Sequence, residues 1–219
     1  MIELVCCDMA GTTVRDDGLV LEAFHRTIAS LDLDDDEVAH AVAVVRETMG
    51  QSKIEVFERL FGPRGADVND LFETHFVATA RERGVYEIPG ARDTIAHLQR
   101  RGIAVALTTG FSPTTRETLV DELGWGKLVD IRLSPGDVAR GRPAPDMILA
   151  CALRAQVSAM SSVAVVGDTA SDMTAGLRAG ARLCIGVLTG NDDEERLRAH
   201  GADLILESVA HLIAVLSHP

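Results

Sequence analysis

Basic residues are scarce in this sequence. Its 219 residues include 21 lysines and arginines against 33 aspartates and glutamates, a formal net charge of −12 at pH 7. This excess of negative charge repels polyanions, so nucleic acid and an anionic membrane surface are excluded as main partners. A small anionic ligand is still compatible with it, because a few local cations and backbone N–H groups can hold one.

Long hydrophobic runs are also absent. No apolar stretch reaches the roughly 20 residues that a membrane helix needs. The segment Met1–Asp8 has neither the basic leader nor the small-residue cleavage site of a secretory signal. Cysteines are few, and none forms a Cys-x-x-Cys pair: Cys6, Cys7, Cys151 and Cys184. We therefore expect buried thiols and a cytoplasmic location, with neither disulfides nor a zinc site.

Apolar residues make up 47% of the chain, enough for a substantial core in one or two domains. Short apolar runs predict five strands: Glu3–Met9, Ile103–Thr109, Ser162–Gly167, Arg182–Leu188 and Asp203–Leu206. Helical patterns alternate with them: Ala91–Arg101, Thr114–Leu123, Pro145–Gln156, Thr169–Ala179, Asp192–His200 and Ser208–Leu216. Several strands are apolar on both faces, as parallel strands are when helices cover both sides. We predict an α/β fold with a doubly wound, mainly parallel, Rossmann-like sheet.

One region interrupts this alternation. Residues 15–88 show helical periodicity with no convincing strand, in four segments: Leu21–Leu31, Asp36–Met49, Ser52–Phe61 and Ala66–Arg83. We predict that residues 15–88 form a small all-helical domain, the helical cap, inserted after the first strand. Residues 1–14 and 89–219 then form the α/β core domain.

Polar residues follow the predicted strands, where ligands bind in open α/β sheets. Asp8 ends the first strand, Thr109-Gly110 ends the second, and Asp168 follows the strand that ends at Gly167. Asp8 and Asp168 are oxygen ligands of the kind Mg²⁺ takes, and a carboxylate can also attack phosphorus to form an acyl-phosphate. Thr109, the Gly110 N–H and the forked guanidinium of Arg142 can hold phosphoryl oxygens. Asp172 either supports the metal or caps a helix and forms an ion pair.

These segments resemble the haloacid dehalogenase superfamily, whose motifs match Asp8–Thr13, Thr109-Gly110, Gly141-Arg142-Pro143 and Val166–Met173. The resemblance implies that Asp8 is the nucleophile, and that Mg²⁺ is bound by Asp8, the Ala10 carbonyl and Asp168, with Asp172 in support. It implies that the substrate side is formed by Thr109, Gly110, Arg142, Gly11 and Thr12. The helical cap is similar to the cap that this superfamily inserts after its first motif.

One position departs from the usual phosphatase pattern. Most phosphatases of the superfamily carry a second aspartate two residues after the nucleophile, where it protonates the departing alkoxide. Here that residue is Ala10, which cannot transfer a proton. Lys53 in the cap offers another device, because an amine with a depressed pKa can form a Schiff base whose iminium accepts the electrons of a breaking C–P bond. On its own, Lys53 would be interpreted as an ordinary solvated lysine.

The chain resembles the phosphonatase family in three motifs. They are Asp-x-Ala-Gly-Thr-Thr, the cap sequence Met49-Gly-x-x-Lys53, and Gly-Arg-Pro. The resemblance implies that Lys53 forms an imine with phosphonoacetaldehyde or a close analogue, that Met49 lies beside it, and that the protein forms a homodimer through its cap. A histidine, a cysteine and a tyrosine of that family are missing here, where Val56 and Phe111 replace the first and the last. Two alternatives stay open: a phosphomonoesterase for a small phosphoglycolate-type ester, and a non-catalytic phosphate-binding module.

Overall fold

The computed structural model describes residues 1–216. Six parallel strands among them form one sheet in the order β3-β2-β1-β4-β5-β6. The strands are β1 (Leu4–Asp8), β2 (Ala104–Thr108), β3 (Ile131–Leu133), β4 (Val163–Gly167), β5 (Leu183–Val187) and β6 (Leu204–Leu206). The predicted fold class is confirmed. All five residues of β1 are buried, because β1 lies between β2 and β4 with helices on both faces.

Strand β3 is absent from the sequence prediction. It has three residues, lies at one edge of the sheet and places Arg132 at its centre. A strand this short, with a charged middle residue, has no apolar periodicity to detect. Its pairing with β2 shows only in the fold, where Leu107 lies opposite Arg132.

Six helices lie outside the region between β1 and β2 that precedes residue 89, and their positions agree with the predicted ones to within two residues except at the last. They are α5 (Ala91–Arg100), α6 (Pro113–Glu122), α7 (Asp146–Ala155), α8 (Ala170–Ala179), α9 (Glu194–Ala199) and α10 (Leu212–Leu216). The segment predicted as one helix over Ser208–Leu216 is split, because a 3₁₀ turn occupies Val209–His211 before α10.

Between β1 and α5 the chain forms four helices and adds no strand to the sheet: α1 (Leu19–Ile28), α2 (Asp35–Glu47), α3 (Lys53–Phe61) and α4 (Gly65–Arg83). The two connections to the sheet run side by side. Arg15 N–H donates to the Tyr86 carbonyl at 2.9 Å, and Ile88 N–H donates to the Thr13 carbonyl at 2.9 Å. The four helices, which we continue to call the helical cap, are thus joined to the sheet by a pair of hydrogen-bonded segments. That they form a separate domain stays a prediction.

Aromatic rings hold the helical cap together and join it to the sheet. Phe24, Phe57 and Phe72 lie in the cap and are fully buried, with Phe57 and Phe72 5.2 Å apart between ring centroids. Burial of each such ring contributes roughly 2 kcal/mol. Phe76 of the cap lies 4.3 Å from Phe111, which follows β2. One hydrophobic cluster therefore runs from the sheet into the cap.

No helix within residues 1–216 combines the length and the apolar character needed to cross a bilayer.

Candidate active site

The carboxyl ends of β1, β2 and β4 meet at one edge of the sheet and place three of the predicted site residues together. Asp8 is the last residue of β1, Thr109 follows β2, and Asp168 follows β4. All three are at most 5% exposed. The register brings them side by side, since Asp8 pairs with Thr108 across the β1–β2 ladder.

These residues line a cavity of about 340 Å³ between the sheet edge and the helical cap. Eight of the predicted site residues line it: Asp8, Ala10, Met49, Lys53, Thr109, Gly110, Arg142 and Asp168. Gly11, Thr12 and Asp172 do not line it. Thr12 instead donates its hydroxyl to Asp168 Oδ1 at 2.8 Å. Gly11 adopts a φ of 95° beside Asp168, where a side chain would collide with that carboxylate.

Arg142 joins two carboxylates below the cavity. Its Nη1 lies 2.6 Å from Asp8 Oδ1 and also contacts Asp172 Oδ1. Arg142 is 1% exposed, and its Nε has no hydrogen-bond partner among the described residues. A buried guanidinium donor without an acceptor is costly, so this site is suited to an additional anionic group.

Asp172 is held by protein groups on both of its oxygens. Besides contacting Arg142, it accepts a hydrogen bond from the Thr169 hydroxyl at 2.6 Å, and the two form a capping box at the start of α8. The structure therefore shows Asp172 capping a helix and forming an ion pair, which is one of the two roles that the sequence allows. A metal-supporting role for Asp172 stays a prediction.

Asp168 has the properties of a cation ligand. Burial and the neighbouring charge of Asp8 raise the pKa of Asp168 to about 7. Asn191 N–H, at 2.9 Å, and the Thr12 hydroxyl hold its two oxygens. Two carboxylates that repel each other in a buried site are stabilised by a cation between them. Among residues 1–216 no group of three or more His, Cys, Asp or Glu side chains is arranged to hold a metal, and Mg²⁺ itself needs only one or two carboxylates.

Lys53 is the first residue of α3 and lies over the cavity with only 8% of its surface exposed. Burial, followed by repulsion from Arg142, lowers the pKa of Lys53 to about 8, while Asp16 and Asp8 oppose that shift. Its Nζ lies 5.8 Å from the centroid of the Phe111 ring. A larger fraction of this amine is therefore neutral than in a solvated lysine, and the neutral form is the nucleophile.

The cap segment that carries Lys53 is fastened to the sheet edge. Lys53 N–H donates to the Gly110 carbonyl at 3.0 Å, and Gly141 N–H donates to Glu55 Oε1 at 2.8 Å. At Gly110 a Cβ would collide with the carbonyl oxygen of Gln51, so glycine is required for this close approach. The segment thus closes over the cavity at Gly110 and Gly141.

Several residues that line the cavity are not among those predicted from the sequence. Thr189, Gly190 and Asn191 follow β5 and could have been found by the same strand-end rule that found Asp168. Asp16 lies in the connection from β1 to the cap, and no motif marks it. None of the described histidines lines the cavity. His75, one of the cap histidines considered from the sequence, contacts the Thr27 hydroxyl at 3.1 Å instead.

The sheet order, the strand-end aspartates and the arginine define a class of enzyme. Residues 2–180 match the family model of the haloacid dehalogenase-like hydrolases, and the chain belongs to that family. The protein is therefore a hydrolase.

Within this family the chain is phosphonatase-like. It is 30% identical over 207 residues to a phosphonoacetaldehyde hydrolase of Bacillus cereus (strain AH187), covering 88% of this chain and 78% of that protein. A phosphonoacetaldehyde hydrolase-like protein from Oleispira antarctica has a similar structure, with a TM-score of 0.81 and 25% identity, over 99% of this chain and 91% of the other. A hydrolase from Pseudomonas syringae shares the fold, with a TM-score of 0.82 and 19% identity over 97% of each chain.

Proposed function

We propose that this protein is a Mg²⁺-dependent hydrolase that cleaves the C–P bond of phosphonoacetaldehyde or a close analogue. Asp8 forms an aspartyl-phosphate and Lys53 forms a Schiff base with the carbonyl carbon. The burial of the Lys53 amine over the cavity that also contains the Asp8 carboxylate carries the proposal. The relatives that are phosphonoacetaldehyde hydrolases support the substrate class.

In this proposal Lys53 activates the carbon side of the substrate. Its neutral amine adds to the aldehyde and water leaves, which gives an iminium beside the C–P bond. When that bond breaks, its electron pair moves to carbon and neutralises the iminium nitrogen, giving an enamine. Protonation of the enamine carbon and hydrolysis of the new iminium release acetaldehyde and the free amine. No alkoxide departs, so Ala10 can occupy the position of the usual acid.

In this proposal Asp8 reacts with the phosphorus atom of the substrate. Its carboxylate attacks phosphorus as the C–P bond breaks, and water then hydrolyses the acyl-phosphate to phosphate. Arg142, 2.6 Å from the attacking carboxylate, orients it and offers its guanidinium to the phosphoryl oxygens. Thr109 and Gly110 line the same cavity and supply a hydroxyl and an N–H. Over the cycle one water is consumed, and phosphonoacetaldehyde gives acetaldehyde and phosphate.

The residues at the sheet edge fit a magnesium ion. Asp8 and Asp168 supply carboxylates that repel each other in the structure, and Ala10 lines the same cavity with a backbone carbonyl to offer. Mg²⁺, when bound, draws negative charge from the phosphoryl oxygens and so favours attack on phosphorus. Asp172 supports this set through Arg142, whose position it fixes.

A second candidate is a phosphomonoesterase for a small phosphoglycolate-type ester. It is favoured by the lack of a histidine among the described residues that line the cavity, and by Phe111, which provides no hydroxyl. Such an enzyme would use Asp8 and the phosphoryl site but have no need of the Lys53 amine. The two candidates therefore differ in their dependence on Lys53. The homodimer through the cap stays a prediction under both.

The deciding experiment compares phosphonoacetaldehyde with small phosphate esters on four proteins: wild type, Lys53→Ala, Lys53→Arg and Lys127→Arg. The chain contains two lysines, and Lys127 is exposed, so Lys127→Arg is a matched control. We expect wild type and Lys127→Arg to release acetaldehyde and phosphate, and both Lys53 variants to lose this activity. Borohydride added during turnover should attach the substrate carbon to Lys53 and leave Lys127 unmodified.

Full phosphonoacetaldehyde turnover by Lys53→Arg would rule out the imine. Phosphate-ester turnover that is unchanged in Lys53→Ala, with no turnover of phosphonoacetaldehyde by wild type, would support the phosphomonoesterase instead. Phosphate binding without turnover of any substrate would support a non-catalytic binding module.

A further inference from the structure

We infer that Asp16 is the proton-transfer residue for the carbon half of the reaction. It gives a proton to the enamine carbon on Lys53, and then takes one from the water that releases acetaldehyde. This inference rests on the proposed function, which leaves the source of that proton unassigned.

Asp16 lies in the connection between β1 and α1 and lines the cavity together with Lys53. The backbone N–H of Val20, in the first turn of α1, donates to Asp16 Oδ1 at 3.0 Å. The carboxyl group is therefore fixed on the cap side of the cavity, which is the side that Lys53 occupies. Its neighbour Asp17 is different, because it is exposed and forms an ion pair with Arg15 at 2.8 Å.

Asp17 also lines the cavity, but it is exposed and paired with Arg15, and the other two acidic groups of the lining already have roles. Asp8 is the nucleophile, and Asp168 is placed to hold the cation. None of the described histidines lines the cavity, and the remaining hydroxyls belong to threonines, which do not ionise near neutral pH: Thr109, Thr169 and Thr189. Asp16 is thus the partly buried carboxylate of the lining that the reaction has not yet used.

The pKa of Asp16 depends on the charge of Lys53. Burial raises the pKa of Asp16, and the Val20 N–H and then the nearby Lys53 cation oppose that rise. In the enamine the Lys53 nitrogen is neutral, so its opposition disappears and the pKa of Asp16 rises further, which favours the protonated acid. When the enamine carbon accepts that proton, the nitrogen becomes a cationic iminium that stabilises the Asp16 carboxylate. Each step therefore creates the charge state that the next step needs.

The proton balance closes within one cycle. The Asp16 O–H bond breaks as a C–H bond forms at the enamine carbon, and the enamine electron pair makes that new bond. Water then adds to the iminium carbon and returns one proton to the Asp16 carboxylate. The resulting carbinolamine collapses to acetaldehyde and neutral Lys53.

Hydrogen–deuterium exchange into acetaldehyde tests this assignment without any phosphorus chemistry. Acetaldehyde in heavy water forms the iminium on Lys53, loses a methyl proton to Asp16 and regains a deuteron, which NMR detects at the methyl group. The variants are Asp16→Asn, Asp16→Glu, Asp17→Asn and Lys53→Arg. Asn at position 16 keeps an acceptor for the Val20 N–H, so the start of α1 is preserved.

We expect Asp16→Asn to slow the exchange by about 100-fold, a typical loss for a general acid–base group. Borohydride should still attach an ethyl group to Lys53 in this variant, at a lower rate than in wild type, because irreversible reduction collects the imine that forms slowly without this proton carrier. Asp16→Glu should recover part of the rate, and Asp17→Asn should exchange like wild type.

Three outcomes would overturn the assignment. If Asp16→Asn exchanges within a few-fold of wild type and is still trapped by borohydride, Asp16 is not the proton-transfer residue. The proposed function is unaffected by that result. Loss of both trapping and exchange in Asp16→Asn would make Asp16 a residue that positions Lys53. Absence of trapping in wild type would remove the imine chemistry, and the role of Asp16 with it.

Discussion

Glu73 of the helical cap accepts two hydrogen bonds from Ser112 at the start of α6. Ser112 N–H donates to Glu73 Oε1 at 2.7 Å, and its hydroxyl donates to Glu73 Oε2. Ser112 also caps α6 by accepting from Thr115 N–H. A carboxylate at a helix N-terminus is stabilised by the unpaired N–H groups there. A side chain of the cap is thereby fixed to the sheet side of the molecule, close to the segment that carries Lys53.

This contact predicts that Glu73→Ala loosens the cap. Removal of a buried charged partner leaves the Ser112 donors unpaired, so the free energy of unfolding should fall by about 2 kcal/mol. Asp70→Ala is the matched control, because Asp70 lies on the same helix and is exposed. Urea denaturation measures the difference. Equal stability of the two variants would show that the Glu73–Ser112 contact does not hold the cap.

The buried amine predicts a pH dependence of the rate. Only neutral Lys53 forms the imine, so kcat/KM for phosphonoacetaldehyde should rise with pH to a midpoint near the pKa of Lys53, about 8. Burial and Arg142 lower this pKa from 10.5, while the surrounding carboxylates Asp16, Asp8 and Glu73 hold it up. A pH profile of kcat/KM gives the midpoint. A midpoint near 10.5 would mean that the amine is solvated and unshifted.

The same shift predicts that Lys53 lowers the stability of the protein. A lysine whose pKa is lower in the folded state than in the unfolded state costs stability when protonated, and this cost disappears as pH rises from about 8 to 10.5. Lys53→Met should therefore be more stable than wild type at pH 7, by up to about 3 kcal/mol. The difference should shrink above pH 8. Denaturation curves at pH 7 and pH 10 test it, and a difference that does not change with pH would contradict it.

The strand-end aspartates predict a dependence on magnesium. Asp168→Asn should abolish turnover, because it removes one of the two carboxylates that would hold the ion. Mg²⁺ should raise the melting temperature of wild type but not of Asp168→Asn, since binding to the folded state alone stabilises it. Asp203→Asn is the control, because Asp203 lies beside the start of β5, where it accepts from Cys184 N–H, whereas the cavity residues follow the end of β5. Turnover that survives chelation would contradict the site.

The sequence predicted the site residues whose position follows from local pattern. Asp8 ends an apolar strand and Asp168 directly follows one, and the carboxyl ends of parallel strands meet whatever the rest of the chain does. Lys53 was found because a cap motif accompanied Ala10. Asp16 and Glu73 were missed because their roles depend on how the cap lies on the sheet. That packing brings residues far apart in the chain together, and no periodicity records it.

Close packing between the cap and the sheet edge predicts the effect of a single methyl group. At Gly110 a Cβ would collide with the Gln51 carbonyl oxygen, two residues before Lys53. Gly110→Ala should therefore push the Lys53 segment away from the cavity and lower kcat/KM by about 100-fold, as a displacement of about 1 Å can do. Gly126→Ala is the matched control, because a Cβ there meets no atom within 4 Å. If the imine mechanism holds, borohydride trapping at Lys53 should fall in Gly110→Ala in parallel with turnover. If Gly110→Ala shows the same trapping and turnover as wild type, the position of Lys53 does not depend on this close approach.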